Sequence, residues 1–408
     1  MIMGKYGNVQ KMIEFGNESW NSLKDCGLSD IRVRYTDTNR VITSDNHRFI
    51  NMCSCSYLGL DRHPKIVQGA IQGLERANTV TLPTSRLRIG LSLIDEAEAI
   101  LSQVFDCKAR VTLSCGAASS GMLPLLASGY LTEKERPLMI FDKFVHFSMA
   151  HMKSSCGDET DILTCPHNDL AFIEDVCLKN PTRKIVYIAD GAYSMGGYAP
   201  VEELEKLQDK YGLYLYFDDS HSLSAYGKNG VGYVRSKLKS FNDRTFIVAS
   251  LGKAFGVCGG VILTAYNAPY EDFINTSSGP QAWSQPLNAA GLGGVIASAQ
   301  IHLSDELETL QHRLQDNLYT FDKLCPTSNK DNGLPIRIIE LSNSNNAIEF
   351  SKRLFEEGYY SSAVFFPIVA KGRAGLRIMM RADMDTEDIT GFLEAVNKIA
   401  LDYKNFGS

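Results

Sequence analysis

Between residues 109 and 265, short apolar runs recur and are separated by longer polar or amphipathic stretches of helical period. "ARVTLS" (109–114), "PLMIFD" (137–142), "KIVYIAD" (184–190), "LYLYFDD" (213–219), "TFIVAS" (245–250) and "GVILTA" (260–265) read as strands. "VEELEKLQDKYG" (201–212) reads as a covering helix. Strands that are apolar on both faces belong in a mostly parallel sheet with helices on either side. The expectation is an α/β fold whose chemistry gathers at the carboxyl ends of its strands.

The pattern changes towards the C-terminus. "LPIRIIEL" (334–341) and "GLRIMM" (375–380) read as strands, "NAIEFSKRLFEEG" (346–358) and "TEDITGFLEAVNKIALDY" (386–403) as helices. Together they predict a compact α+β unit that begins after the long helical stretch near 286–322. "RFINMCSCSYLGL", near the N-terminus, is expected to pack with that unit. The resulting division is an N-terminal segment (1–60), a large domain (61–300) and a small domain (301–408). A chain of 408 residues accommodates this arrangement.

Composition narrows the function classes. A net charge of −6, without runs of Lys and Arg, argues against nucleic acid or an anionic membrane surface as the main partner. No apolar stretch approaches the length of a membrane span. Ten cysteines are scattered, and only Cys53 and Cys55 lie close together. No C-x-x-C occurs, and Cys165 with His167 is an isolated pair, so no metal is expected. A reduced, cytoplasmic protein is the reading that fits.

Three strand ends carry reactive groups. "YFDDSH" places Asp218, Asp219 and His221 where a strand stops, "IADGAYSMGG" places Asp190 and Ser194, and "VASLGKAFGVCGG" places Ser250 and Lys253. A lysine among small apolar neighbours is costly unless it is paired or used chemically. A lysine that forms a Schiff base, a carboxylate that keeps a pyridine nitrogen protonated, and amides that hold a phosphate would together suit pyridoxal phosphate. "LSCGAASSGM" offers the phosphate cradle, a strand running into a small-residue turn at Cys115 and Gly116 and then a helix. No G-x-x-x-x-G-K-[ST], dinucleotide fingerprint or G-x-S-x-G elbow competes with it.

These residues resemble the α-oxoamine synthases. The similarity runs from "YLGLDRHPKIV" to "FFPIVAKGRAGLRIMM", with "DDSHSLSAYGKNGVG" followed by "SLGKAFGVCGG" as its most specific part. The resemblance implies the fold-type I, aspartate-aminotransferase-like architecture: a large domain with a mostly parallel seven-stranded sheet, plus a smaller α+β domain. It implies pyridoxal 5'-phosphate as cofactor, an amino acid and an acyl-CoA or acyl carrier protein as substrates, and a homodimer with active sites at the interface. By motif, Lys253 corresponds to the Schiff-base lysine, Asp218 to the aspartate facing the pyridine nitrogen, and His221 to the histidine on the phenolic oxygen. His146 corresponds to the ring-stacking histidine, Cys115 and Gly116 to the phosphate turn, and Ser250 to a hydroxyl ligand of the phosphate. Ser194 falls near the cofactor oxygen, Arg377 where a guanidinium grips the substrate carboxylate, and Ser284 where a neighbouring subunit completes the phosphate site.

The chain also departs from the family pattern. Cys55 replaces an asparagine, Gly116 and Ser119 replace an aromatic and an asparagine, and Arg86 and Arg88 lie in a segment usually rich in glycine. The implied reaction is a condensation of an amino acid with an acyl thioester and loss of carbon dioxide, giving an α-amino ketone. Other reactions on the same fold stay open: coupling with S-adenosylmethionine of the CqsA type, transamination or retro-aldol cleavage. A non-catalytic partner subunit would be expected to lack Lys253.

Overall fold

The computed structural model describes residues 8–37, 39–366, 368–369 and 373–406. After a helix at Asn8–Asp25, three short strands, β1 (Val33–Tyr35), β2 (Arg40–Thr43) and β3 (Arg48–Asn51), form an antiparallel meander. The central sheet follows with seven strands: β4 (Lys108–Thr112), β5 (Leu138–Asp142), β6 (Ile162–Cys165), β7 (Ile185–Asp190), β8 (Tyr214–Asp218), β9 (Thr245–Ser250) and β10 (Gly260–Thr264). Their spatial order is β4-β10-β9-β8-β7-β5-β6. The run from β9 to β6 is parallel, and β10 lies antiparallel between β4 and β9.

Six of these strands coincide with the apolar runs read from the sequence. The seventh, β6, does not announce itself, because Leu163 and Thr164 are exposed at the sheet edge and break the apolar run. The interior strands β5, β7 and β8 are buried along their whole length, which is why they read as continuous apolar segments.

The C-terminal unit contains β11 (Ile336–Leu341), the two-residue β12 (Tyr359–Tyr360), β13 (Ser362–Val364) and β14 (Ala374–Met379). An antiparallel sheet of order β11-β14-β13 is accompanied by helices Ser344–Glu356 and Thr386–Phe406. The N-terminal segment joins it: β12 pairs in parallel with β3, and Met379 N–H donates to the Met52 carbonyl at 2.7 Å.

The helical stretch near 286–322 is two helices, Ala289–His302 and Asp305–Leu324, divided where Ser304 caps the second. The first is apolar on all sides and buried, as a helix covered all round must be. It crosses helix Pro64–Ala77 at close range, because both are glycine-rich at the crossing. A Cβ on Gly73 would lie 2.3 Å from the Ala289 carbonyl, and one on Gly293 would lie 2.2 Å from the Gly69 carbonyl. No helix among the described residues is long and apolar enough to cross a membrane.

Gly73→Ala tests this crossing. Alanine favours a helix over glycine by about 1 kcal/mol, yet overpacking against a backbone carbonyl costs about 1–3 kcal/mol. The expected outcome is a lower thermal unfolding temperature, read by calorimetry. An unchanged or raised midpoint would mean that the helices can separate.

Candidate active site

The carboxyl ends of the parallel strands form the floor of a cleft, and the order of the strands decides what lies there. Asp190 ends β7 and Asp218 ends β8, directly opposite each other in register. Both are buried, at 3% and 6% exposure. Asp219 is adjacent in sequence but points the other way, since side chains alternate along an extended chain. Its carboxylate accepts from Ser222 Oγ at 2.5 Å and Val234 N–H at 3.0 Å, beneath Gly191 and Gly232. Burial holds the Asp219 carboxyl up at about 7. Asp219 therefore builds the loop, and Asp218 faces the cleft.

Around Asp218 the structure brings together most of the residues singled out by sequence. Cys115 Sγ lies 3.4 Å from Asp218 Oδ2, while Ser220 N–H donates to Oδ1 at 3.0 Å. Burial, then the Asp218 charge, keeps the Cys115 thiol protonated far above its ordinary range, so the thiol is the donor. Burial and the Asp218 charge likewise push Asp190 well up, and Asp190 Oδ1 accepts from His146 N–H at 3.0 Å. The His146 ring is exposed at the mouth of the cleft. Water displaced around it lowers its basicity; the Asp218 charge opposes this, and the Lys253 and Arg377 charges add to it.

Lys253 follows β9 in a tight turn. Its Nζ has no hydrogen-bond or ion-pair partner among the described residues, while Leu251, Ala254 and Phe255 beside it are fully buried. Its positive charge is felt at Cys115, His146, Asp190 and His221, which places it in the same cleft. The turn ends at Gly256, whose φ of +81° suits glycine and whose Cβ position would fall 2.6 Å from the Leu60 carbonyl carbon. Thus the "YLGL" segment is packed directly under the lysine turn.

The phosphate cradle differs slightly from expectation. β4 ends at Thr112, and Cys115 and Gly116 already form the first turn of helix Cys115–Ala127. Ser114 caps that helix: its Oγ takes the Ala117 N–H and its carbonyl the Ala118 N–H, leaving the amides of Cys115 and Gly116 free. A Cβ on Gly116 would meet only Ser114 Oγ, at 3.7 Å, so the space before these amides is open. Gly260 is required by the close approach, because a Cβ there would sit 2.4 Å from Cys115 N. An N-terminal helix end with free amides suits a phosphate.

Ser250 Oγ accepts from Gly252 N–H at 3.1 Å, on the same rim as Lys253. Arg377, on β14, reaches the cleft from the small domain. Its Nη1 is 3.5 Å from the Ser194 carbonyl, and its buried Nε has no partner among the described residues. A guanidinium left short of acceptors is suited to an incoming carboxylate.

Other expectations separate. Ser119 is fully buried and accepts from Tyr216 O–H at 3.2 Å, facing the core. Arg86 is a strut, bonded to Glu98 through both Nη atoms at 2.7 and 3.0 Å, while Arg88 is exposed. Ser284 is half-buried at the end of the short helix Pro280–Trp283, and its hydroxyl meets only the Gln285 carbonyl, at 3.2 Å.

Sequence reasoning overlooked two supports. Tyr57 O–H lies 2.7 Å from His221 Nδ1, with both rings buried. His302 stacks near Phe255, with ring centroids 4.4 Å apart, and reaches Ser224 Oγ at 2.8 Å. On the same helix Ser298 Oγ donates to the Phe255 carbonyl at 2.7 Å. One helical turn thereby anchors both the loop behind Lys253 and the loop behind His221.

The chain belongs to the aminotransferase class I and II family, whose model matches residues 48–396. Among curated relatives it is 27% identical to the 8-amino-7-oxononanoate synthase of Thermoanaerobacter pseudethanolicus, over 95% of this chain and 97% of that one. It is 26% identical to the serine palmitoyltransferase of Bacteriovorax stolpii, over 86% and 83% of the two chains. A solved structure of SPT with PLP as internal aldimine superposes with a TM-score of 0.83 at 19% identity, covering 96% of this chain and 99% of that one. The fold is that of fold-type I enzymes, as the sequence implied.

His302 gives this scaffold a pH signature. Burial lowers its pKa from 6.5 to about 4, so the unfolded chain binds the proton first as pH falls. Its neutral form is compatible with the fold above about 6.5, and stability is lost progressively as pH drops from there towards 4. His302→Gln should flatten that limb by an amount on the order of 3 kcal/mol, measured by denaturant titration across the window. An equally steep limb in the variant would place the acid sensitivity elsewhere.

Proposed function

We propose that this protein is a pyridoxal-phosphate-dependent acyltransferase of the α-oxoamine synthase type. It joins an amino acid to an acyl thioester and releases the carrier thiol and carbon dioxide, giving an α-amino ketone. The observation that carries the reading is the convergence, in one cleft, of an unpaired lysine, a buried aspartate, a helix end with free amides and an arginine short of acceptors. The names of the relatives, a synthase of an amino-oxo acid and a serine acyltransferase, agree with it.

Bound pyridoxal phosphate supplies an aldehyde that captures amines and a protonated ring that takes up the electron pair left at the substrate Cα. The chain's own residues supply position and charge. Asp218, buried at the cleft floor, would lie against the ring nitrogen and keep it protonated. The amides of Cys115 and Gly116, with the Ser250 hydroxyl, hold the phosphate. His146 covers the ring, and His221, with Ser194 nearby, attends its phenolic oxygen. Lys253, the unpaired amine of the cleft, would be the residue that holds the cofactor's aldehyde and the base that takes a proton at the substrate Cα. Arg377, short of acceptors, would grip the substrate carboxylate and so fix the substrate's orientation in the cleft.

The same reading takes the acyl donor as acyl-CoA or an acyl carrier protein and divides the chain into residues 1–60, 61–300 and 301–408. It places the protein in the cytoplasm, where free thiols persist, and as a homodimer whose Ser284 reaches the neighbour's phosphate. The apolar surface at Trp283, 77% exposed, and at Val80 and Ile89 supports such an interface.

Borohydride reduction of the protein with bound pyridoxal phosphate, followed by peptide mass analysis, tests the lysine. The label is expected on the Lys253 peptide and absent in Lys253→Ala; a label on another lysine would overturn the assignment. With an amino acid and an acyl-CoA, thiol and carbon dioxide should appear in equal amounts. A keto acid without released thiol would indicate transamination. Arg377→Lys loses the two-pronged grip, so KM for the amino acid should rise roughly tenfold or more with a smaller change for the acyl donor. Equal changes for both substrates would remove Arg377 from the carboxylate site.

A further inference from the structure

The hydrogen bond between Tyr57 and His221 determines more than the position of a ring. His221 is held neutral by burial first and then by the surrounding positive charges of Lys253, Arg377 and His146. A neutral imidazole carries one N–H, on either Nδ1 or Nε2. Tyr57 O–H lies 2.7 Å from Nδ1, and among the described residues its other hydrogen-bond partners are sulfurs: Met379 Sδ at 3.8 Å and the Cys55 thiol. If Nδ1 carried the proton, the phenol would accept it and would have only sulfur to donate to. Sulfur is a weak acceptor, whereas an imidazole nitrogen is a strong one, and in a buried site the difference is not made up by water. The phenol therefore donates to Nδ1. His221 Nε2 has no protein partner among the described residues.

We propose that Tyr57 is the positioning residue that holds His221 as the Nε2–H tautomer, so that the ring offers a donor, not an acceptor, to whatever occupies the cleft. The occupant's identity rests on the pyridoxal-phosphate reading, in which the phenolic oxygen would take that donor.

Tyr57 is well placed to be rigid. It is fully buried, and its carbonyl accepts from Ala382 N–H at 2.8 Å, which ties it to the chain just beyond β14. Met379, against its hydroxyl, shares a face of β14 with Arg377, because the two are separated by one residue on an extended strand. The strand that presents the arginine to the cleft thus also backs the residue that orients His221.

The test uses the full-length protein as purified, with 15N-labelled histidine rings, the His221 signals being assigned by their loss in His221→Gln. The expected spectrum shows a protonated Nε2 and an unprotonated Nδ1. In Tyr57→Phe, which removes only the hydroxyl, the tautomer should shift towards Nδ1–H or a mixture. Its kcat should fall roughly tenfold to a hundredfold, as for other outer partners of an active-site histidine, with KM for the amino acid little changed. A protonated Nδ1 in the wild-type protein would overturn the proposal without recourse to any variant. So would a Tyr57→Phe spectrum identical to wild type. Failure of borohydride labelling at Lys253 would remove the cofactor reading and leave the tautomer assignment standing, because that assignment rests on the bond between Tyr57 and His221 Nδ1.

Discussion

A single buried negative charge, Asp218, organises the carboxyl edge of the central sheet. Placing a carboxylate at 6% exposure is costly unless its surroundings compensate. Here the compensation comes from one amide and one thiol, with Lys253 in the same cleft. Burial, reinforced by that charge, pushes the Cys115 thiol and the Asp190 carboxyl well up, so both disfavour a second negative charge on the cleft floor. Every functional group of the cleft is placed by its relation to that charge: facing it, shielded from it or tethered to a loop beside it.

Much of this was legible in the chain itself. Continuous apolar runs gave the interior strands because a strand buried on both faces leaves no room for polar alternation. Aspartate, serine and lysine at three strand ends gave the cleft because parallel strands deliver their ends to one edge. The edge strand β6 was not legible, since half-exposed strands lack that continuity. Nor could sequence decide between Asp218 and Asp219 without the resemblance: the parity of β8 decides it, and parity is known only when the strand's partners are known.

The supports were less legible still. Tyr57 and His302 act across sequence separations that no local pattern encodes, and each looks like an ordinary core residue when read alone. Arg86 shows the converse. Its charge in an unusual segment invites a role with substrate, yet two bonds to Glu98 hold its guanidinium as a strut.

The pairing of β3 with β12, and of Met52 with Met379, has a consequence for synthesis. These contacts join residues near 50 to residues beyond 358, so the N-terminal wall of the cleft gains them only once those later residues have left the ribosome. At about 5–20 residues per second the delay between Tyr57 and its seat is roughly 15–60 s. During that time the large sheet has its strands, and Tyr57 and Leu60 have His221 and Gly256 to meet but lack the backing of β14. The strand that backs Tyr57 and carries Arg377 thus emerges long after the segment it supports, and a nascent chain without β14 cannot present a finished cleft.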